Sequence, residues 1–356
     1  MLVTERSFQF HLLARKQKHK QMLGIFLVAL PVIFFVALNT GAVPVDLFSV
    51  LTSIDGSLNQ QQGLQSTIIF DIRLPRVLMT MVTGAGLAVS GLVLQSIFRN
   101  PLADPGLIGV SSFAALFAAL GFLLSAWVLV PSNILPYFIP TMAFSGAVIS
   151  VFLLFAIAGR RRQLNTSILI LVGVAINAGA MTLLGIITFL VDDSTLRQIT
   201  FWSMGSYAGT SSTVMMITAI IVCIGLLMLW REKNALMLMA VGEKQARFQG
   251  VDTEQVKTRC LVIVAGVVAV CVSFTGIVGF VGLVVPHICR MLASNHLRVL
   301  LPLTAMCGAM LVALADMLAR TIMIPSELPV GLVTSLIGVP FFVMLIYQEK
   351  RKQGYV

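Results

Sequence analysis

Long apolar runs alternate with short polar connections along almost the whole chain, and this pattern predicts helices that cross a membrane. In the run 74–98 the only charged residue is Arg76, near its start, and the run spans ~30 Å of hydrocarbon at ~1.5 Å per residue. We predict an all-α polytopic membrane protein with about ten transmembrane helices. These helices cover residues 21–38, 74–98, 107–129, 135–158, 166–190, 214–230, 260–274, 276–291, 299–318 and 330–347.

Small residues are concentrated in the run 74–98, around which we expect the rest of the chain to be organised. Gly84 with Ala88, and Gly86 with Ser90, form small-xxx-small pairs, which let helices approach closely in a membrane. The sequence therefore predicts that this helix packs against protein.

Three connections between the apolar runs are long. Residues 40–72 form a polar connection, and residues 231–259 form the longest polar connection after it. Residues 191–209 are too polar at their start to cross a membrane and predict a short interfacial helix, whose N-terminus Asp192 and Asp193 favour. The chain thus divides into an N-terminal tail 1–20, one transmembrane domain 21–348 and a C-terminal tail 349–356.

The basic residues are distributed unequally between the two sides of the predicted membrane. Hydrophobic residues make up 58% of the 356 residues and charged residues only 11%, far below the roughly one quarter of soluble domains. Of the 24 Lys and Arg residues, 20 fall on the side of the two termini and 4 on the other side. The positive-inside rule places both termini in the cytoplasm, and it explains the net charge of +10 without a nucleic-acid partner.

The five cysteines lie in or beside apolar runs, with no spacing typical of metal ligands or of disulfide pairs. We interpret them as thiols packed within the membrane. No cleavage site of small residues follows the first apolar run, so we expect that run to remain as a membrane helix.

Several patterns typical of other transport proteins are missing from the sequence. No G-x-x-x-x-G-K-[ST] phosphate loop is present, so any ATPase must be a partner, and we assign no catalytic, metal or cofactor residues. The interiors of the ten runs hold almost no ionisable groups, which argues against an ion-coupled secondary transporter. A channel is weakly supported, because no selectivity filter or charged ring is visible.

Arginines on the predicted outer side are the first candidates for contact with a partner. Arg73, Arg76 and Arg320 carry most of the basic charge there and could receive carboxylates from an extracytoplasmic protein. The alternative is that Arg73 pairs with Asp71, and Arg320 with Asp316 one helical turn away.

The second candidate lies in the inner connection 231–259. Gly242 could break the chain so that residues 243–248 form a short helix on the cytoplasmic surface; the alternative is a solvated connector. The residues assigned to this segment are Val241, Gly242, Glu243, Lys244, Gln245, Ala246, Arg247, Phe248 and Gly250.

Six sequence blocks follow one another over nearly the whole chain beyond the N-terminal tail. They are RLPR at 73–76, GAGLAVSG at 84–91, RNPLADPGLIGVSS at 99–112, FWSMGSYAG at 201–209, GFVGLVVPHICR at 279–290 and ELPVGLVTSLIGVPFFVML at 327–345. Together and in this order they resemble the FecCD family, the permease subunits of ABC importers. The resemblance implies a type II ABC importer permease fold in the bacterial inner membrane, as a homodimer or a dimer with a close homologue.

The resemblance also implies partners and roles for particular residues. Arg73, Arg76 and Arg320 match arginines that meet glutamates of a periplasmic substrate-binding protein. The segment 241–250 matches the coupling helix that docks on one of two cytosolic ATPase subunits. Chain breaks at membrane depth are expected to line the translocation path or its gate. The residues assigned to it are Asn100, Pro101, Pro105, Gly106, Gly279 and Pro286.

The cargo that the resemblance implies is an iron chelate. The variants DPGLIGVSS and DDSTLRQITFWSMGS favour haem, with a ferric siderophore or vitamin B12 as alternatives within the family. His287 beside Pro286 is interpreted as structural and not as a haem ligand. Two alternative functions from other classes of protein stay open: an ion-coupled secondary transporter and a membrane scaffold protein.

Overall fold

A computed structural model describes residues 2–45, 60–127, 131, 134–159, 166–293 and 296–352. The basic triplet 160–162, which contributes to the predicted charge asymmetry, lies outside these residues. The described part of the chain is all-helical. Its helices are α1 (Leu2–Asn39), α2 (Gln60–Thr67), a π-helical segment (Ile68–Arg73), α3 (Leu74–Phe98), a 3-10 turn (Pro105–Ile108), α4 (Val110–Trp127), α5 (Leu135–Ala158), α6 (Thr166–Leu190), α7 (Asp193–Ser203), α8 (Ser212–Arg231), α9 (Lys233–Val241), α10 (Glu243–Phe248), α11 (Thr253–Thr275), α12 (Val281–Leu292), α13 (Leu297–Thr321) and α14 (Val330–Lys352).

The observed helices confirm the predicted set of transmembrane runs. Among the described residues, seven helices are long and apolar enough to cross a membrane, and the shorter apolar helices Val110–Ser125, Val281–Leu292 and Val330–Leu345 correspond to the other three predicted runs. The bounds of α3, α5, α6 and the short helix α10 coincide with the prediction. The short helix predicted within residues 191–209 is present as α7, and its interfacial position stays a prediction.

Four stretches differ from the prediction. Helix α1 begins at Leu2, because the basic N-terminal segment continues the helix that was expected to start at residue 21. The polar connection 40–72 contains α2 and the π-helical segment, which run directly into α3. The inner connection is largely helical, since α9 and the first turns of α11 lie within 231–259. The predicted run 276–291 starts with the chain break at residues 276–280, so α12 begins only at Val281.

Helix α3 is the central element of the bundle. In the most apolar stretch of the continuous helix Gly63–Phe98, 83% of the residues are buried, compared with 28% for α6. Helices α8, α11, α12 and α13 all pack against α3. The prediction that this run packs against protein is therefore confirmed.

Glycines allow the backbones around α3 to touch. A Cβ atom on Gly84 would lie 2.3 Å from the carbonyl oxygen of Gly308 in α13, and one on Gly91 would lie 1.8 Å from that of Gly282 in α12. Side chains larger than hydrogen cannot fit at either contact. The small-residue pattern thus positions α12 and α13 directly against α3.

We expect Gly91→Ala to destabilise the folded bundle by about 1–3 kcal/mol, because the added methyl group overlaps the Gly282 carbonyl and forces two backbones apart. The matched control is Gly185→Ala in α6, where no atom lies within 4 Å of the new Cβ and the higher helix propensity of Ala stabilises by up to about 1 kcal/mol. Unfolding of the purified chain in mixed micelles measures both. Equal stability of the two variants would contradict the close contact of α3 with α12.

Candidate functional site

An ion-pair cluster lies at the end of the bundle where α3 begins and α13 ends. Arg76 Nη2 lies 2.8 Å from Asp316 Oδ1, and the same guanidinium contacts Glu327 Oε2 at 2.9 Å. Asp316 is buried and also pairs with Arg320, whose Nε lies 3.0 Å from Asp316 Oδ2. One buried carboxylate therefore holds two buried arginines, and Glu327, whose side chain is 40% exposed, closes the cluster toward the surface.

Two of the predicted docking arginines, Arg73 and Arg320, cap the C-terminal end of helix α1. Arg73 Nη1 donates to the carbonyls of Leu38 at 2.9 Å and Asn39 at 3.0 Å. Arg320 donates to the carbonyls of Ala37 at 3.3 Å and Thr40 at 3.1 Å. The last turn of a helix has carbonyls without helical partners and carries partial negative charge, so two cations stabilise this end.

These contacts decide between the bonding alternatives proposed for the arginines. The pairing of Arg320 with Asp316 is confirmed. The pairing of Arg73 with Asp71 is wrong, because the Arg73 guanidinium turns to the end of α1 instead. All three predicted docking arginines are buried, with 4% to 7% of their surface exposed. Their docking role stays a prediction, and Glu327 is the exposed member of the cluster.

The short helix α10 lies at the opposite end of the bundle. Gly242 has extended backbone and separates α10 from α9, as predicted. Glu243 Oε1 at the start of α10 lies 2.9 Å from Nζ of Lys257, and Arg247 Nη2 lies 2.8 Å from Glu254 Oε1. Both partners belong to α11, and Lys257 is 2% exposed. Two ion pairs thus connect the short helix to a transmembrane helix.

The solvent-exposed surface of the α9–α10 segment carries two large apolar side chains. Val241 is 79% exposed and Phe248 is 91% exposed, although both are large hydrophobic residues. A concavity of about 560 Å3 lies beside Val241. Its lining residues are Arg99, Val241, Gly242, Glu243, Lys244, Gln245 and Arg247. The buried residue of the helix is Ala246, and Gly250 ends the following turn with a φ of +81°.

The first predicted chain break, at residues 100–106, has two parts with different surroundings. Arg99 has left-handed backbone, with a φ of 48°, and its Nη2 donates to the carbonyl of Met239 at 2.7 Å. Asn100 and Pro101, which follow directly, therefore lie beside α9 at the α10 end of the bundle. Asn100 Oδ1 accepts a hydrogen bond from the backbone N–H of Leu102 at 2.9 Å and forms a turn there.

The second half of this break is deeper in the protein. Asp104 accepts a hydrogen bond from the Gly106 N–H at 2.8 Å, and burial raises the pKa of its carboxyl group. Asn177 in α6 donates to the carbonyl of Gly106 at 2.9 Å and receives a hydrogen bond from Ser112 in α4. Asn177 therefore bridges the 3-10 turn that starts at Pro105 and two transmembrane helices.

The predicted break before α12 is held by backbone hydrogen bonds. The Ser206 N–H donates to the carbonyl of Thr275 at 2.8 Å. Phe280 has a φ of 65° and packs against Gly338 of α14, where a Cβ atom would lie 2.4 Å from that of Phe280. A left-handed conformation is costly for an aromatic residue and marks a position that the surrounding structure enforces.

The remaining two path candidates flank this strained residue. Gly279 precedes Phe280 and faces Ser335 of α14, since a Cβ atom on it would lie 3.8 Å from the Ser335 Oγ. Pro286 is buried inside α12. The ring of the next residue, His287, has its centroid 6.0 Å from that of Phe341.

Helix α7 begins at a carboxylate cap, as the prediction from Asp192 and Asp193 requires. Asp192 accepts hydrogen bonds from the backbone N–H groups of Ser194 and Thr195. The hydroxyls of the same two residues also donate to it and hold the pKa of the Asp192 carboxyl well below its usual range.

Sequence reasoning missed several residues of these sites. Asn177, Phe280 and Glu327 were not singled out, although an amide in the middle of an apolar run is a signal that could have identified Asn177. Gln95 is a fourth: it donates to the Gly282 carbonyl at 3.2 Å and accepts from Arg290 at 2.5 Å. No local pattern identifies Phe280, because its backbone angle depends on the contact with α14.

Spanning helices with irregular breaks inside the bundle, and a short helix exposed at one end, define a polytopic membrane permease. The chain belongs to the FecCD transport family, whose model matches residues 29–348.

Individual relatives cover nearly the full length of the chain. It is 39% identical to the hemin transport system permease protein HmuU of Yersinia pestis over 94% of this chain and 97% of that protein. It is 35% identical to the vitamin B12 import system permease protein BtuC of Serratia proteamaculans, over 96% and 97%. It is 33% identical to the iron(3+)-hydroxamate import system permease protein FhuG of Bacillus subtilis, over 91% and 96%.

A solved structure has the same fold. The chain aligns with a metal-chelate type ABC transporter in an inward-facing conformation, with a TM-score of 0.78 and 29% identity over 92% of this chain and 99% of that one.

Proposed function

We propose that this chain is the transmembrane permease subunit of an ATP-driven ABC importer that carries haem from a periplasmic binding protein into the bacterial cytoplasm. The observation that carries the choice of haem is the 39% identity to the hemin permease over 340 residues. Vitamin B12 and ferric siderophores are the second candidates, because relatives with those names reach 35% and 33% over similar lengths.

Energy enters this permease through α10. Its exposed residue Phe248 and the exposed Val241 at the end of α9 suit docking into an apolar cleft of a cytosolic ATPase subunit, of which two serve a permease dimer. The pairs Glu243–Lys257 and Arg247–Glu254 then transmit a displacement of α10 to α11. Helix α11 packs against α3, α5 and α8, so the displacement reaches the centre of the bundle.

The translocation path runs between two copies of the chain, beside the two breaks at which Asn177 and Phe280 lie. Helix α6 presents large apolar side chains outward, among them Leu171 at 70% and Met181 at 56% exposure. Such faces suit a second permease copy or lipid. In this arrangement the cluster around Arg76 lies at the periplasmic side, and both termini lie in the cytoplasm, as the positive-inside rule requires.

The binding protein docks on the cluster when one of its own carboxylates replaces that of Glu327. Arg76 is buried, but its Nη1 bond to Glu327, 3.0 Å long, leads to the surface. A glutamate of the binding protein can take the place of Glu327 on this guanidinium, while Asp316 keeps Arg76 in position. Arg73 and Arg320 support the site by holding the end of α1.

We expect Glu327→Gln to strengthen binding of the binding protein, by at most about tenfold, because the competing internal carboxylate is lost. Surface plasmon resonance with the permease in nanodiscs measures the affinity. Glu254→Gln at the opposite end is the control and is expected to leave it unchanged. Weaker binding by Glu327→Gln would mean that Glu327 itself contacts the partner, and it would overturn the exchange.

The test of the proposed function is uptake into proteoliposomes that contain this chain, a partner ATPase and a partner binding protein. We expect ATP-dependent haem uptake that vanadate stops and an uncoupler does not. Vitamin B12 and a ferric hydroxamate are offered in parallel. Uptake of one of these instead of haem would reassign the cargo and keep the permease, whereas uptake that only an uncoupler abolishes would indicate a secondary transporter. Absence of uptake of all three cargoes would favour a scaffold.

A further inference from the structure

An apolar groove of about 390 Å3 lies between spanning helices, away from the sites described above. Helices α8 and α13 form its walls, and Val89 of α3 lies between them. Its other lining residues are Cys223, Leu226, Leu227, Trp230, Leu301, Pro302 and Ala305. The groove opens onto the exposed face of a spanning helix, where Leu227 is 65% exposed. An exposed apolar face of this kind on a spanning helix suits contact with the acyl chains of lipid.

The groove ends beneath three basic residues. Trp230 lies at this end, and Lys233 Nζ lies 4.5 Å from the centre of its ring. Arg298 is exposed and lies one helical turn before Pro302, and its Nη2 donates to Asn234 Oδ1 at 3.3 Å. Arg231, the last residue of α8, is also exposed. Tryptophan at this position is typical of the level at which hydrocarbon meets headgroups.

The positive charge at this end is not cancelled by neighbouring carboxylates. Glu232 lies between Arg231 and Lys233 in the sequence, but its carboxylate pairs with Arg259 at 3.2 Å. In the described part of the chain, none of Arg231, Lys233 and Arg298 forms an ion pair. Three cations, each within three residues of a lining residue, therefore lie near this end of the apolar groove.

We propose that this groove is a binding site for an anionic phospholipid of the cytoplasmic leaflet. One acyl chain lies in the groove between α8 and α13, and the phosphate lies between Lys233 and Arg298. Basic residues at the cytoplasmic end of an intramembrane cleft are the arrangement that anionic headgroups require. The volume falls in the range of about 300–1,000 Å3 that is usual for ligand sites.

The test is native mass spectrometry of the purified full chain with dioleoyl phosphatidylglycerol and dioleoyl phosphatidylcholine in equal amounts. We expect the chain to retain phosphatidylglycerol preferentially. The double variant Lys233→Gln, Arg298→Gln is expected to lose roughly thirtyfold in apparent affinity for it, about fivefold for each basic residue. Glycerol phosphate, which has the headgroup charge without acyl chains, is expected not to displace the lipid.

A groove-filling variant tests the apolar half of the site separately. Ala305→Phe is expected to lower retention of both lipids, because its ring occupies the space of the acyl chain. Arg197→Gln in α7, an exposed arginine at the other end, is the matched control and is expected to bind like the unchanged chain. The proposal is overturned if the double variant or Ala305→Phe binds phosphatidylglycerol like the unchanged chain, if the control loses as much, or if glycerol phosphate competes.

Discussion

Asp316→Asn is expected to destabilise the folded protein by about 3–5 kcal/mol. The Asp316 carboxylate is 1% exposed and lies within 3.0 Å of both Arg76 and Arg320. An amide has nearly the same shape but no charge, so both buried guanidinium groups would lose their shared carboxylate, and only the half-exposed Glu327 would still pair with Arg76. Breaking a buried pair from one side costs this much, because the remaining charge stays desolvated. Equilibrium unfolding in mixed micelles measures the loss.

The matched control is Glu327→Gln in the same cluster. It is the same chemical change on a carboxylate that also touches Arg76, but this side chain is 40% exposed, and solvent screens the remaining charge. We expect a loss below about 1 kcal/mol. If the two variants unfold with equal free energies, burial of Asp316 does not decide the strength of the cluster.

Phe248→Asp is expected to abolish ATP-driven uptake while the chain still folds. Phe248 is 91% exposed at the end of α10 and packs against little of its own chain, so a charge there costs little folding free energy. An apolar anchor of this kind contributes at least about 2 kcal/mol when a partner covers it, which is a roughly thirtyfold loss of affinity. Co-purification of the ATPase and uptake in proteoliposomes measure the two consequences.

Gln249→Asp provides the control one residue further along. It introduces the same charge at an exposed polar position, and we expect the ATPase to bind and uptake to continue. A Phe248→Asp variant that still binds the ATPase would exclude α10 as the docking element, whatever the cargo.

The transmembrane part of the fold follows closely from the sequence. Runs such as 135–158 and 166–190 end at glycine or at charged residues, so composition alone defines their bounds. Prediction was weaker where helices continue into polar sequence. The segment Ile68–Arg73 contains Asp71 and is still helical. Helix α9 is largely apolar, but it starts with the polar residues Lys233 and Asn234, which favoured its assignment to a polar connection. Local polarity indicated a loop there, and tertiary packing determined the outcome.

The arrangement of the arginines could not be predicted, because their partners are distant in sequence. Arg73 donates to a carbonyl 35 residues earlier, and Arg76 contacts Asp316, 240 residues later. Only the pair Arg320–Asp316 lies within one helical turn, and the sequence indicated that pair correctly. A motif can identify arginines of interest, but it cannot say that they face inward.

The glycine contacts of α3 also limit which parts of the protein can move. Helices separated by side chains can slide when rotamers change, but Gly84 with Gly308 and Gly91 with Gly282 bring backbone against backbone. Such contacts have no adjustable atoms, so relative motion would open a void or a clash. Helices α3, α12 and α13 therefore form one rigid unit. We expect the parts that move in a transport cycle among the helices around this unit.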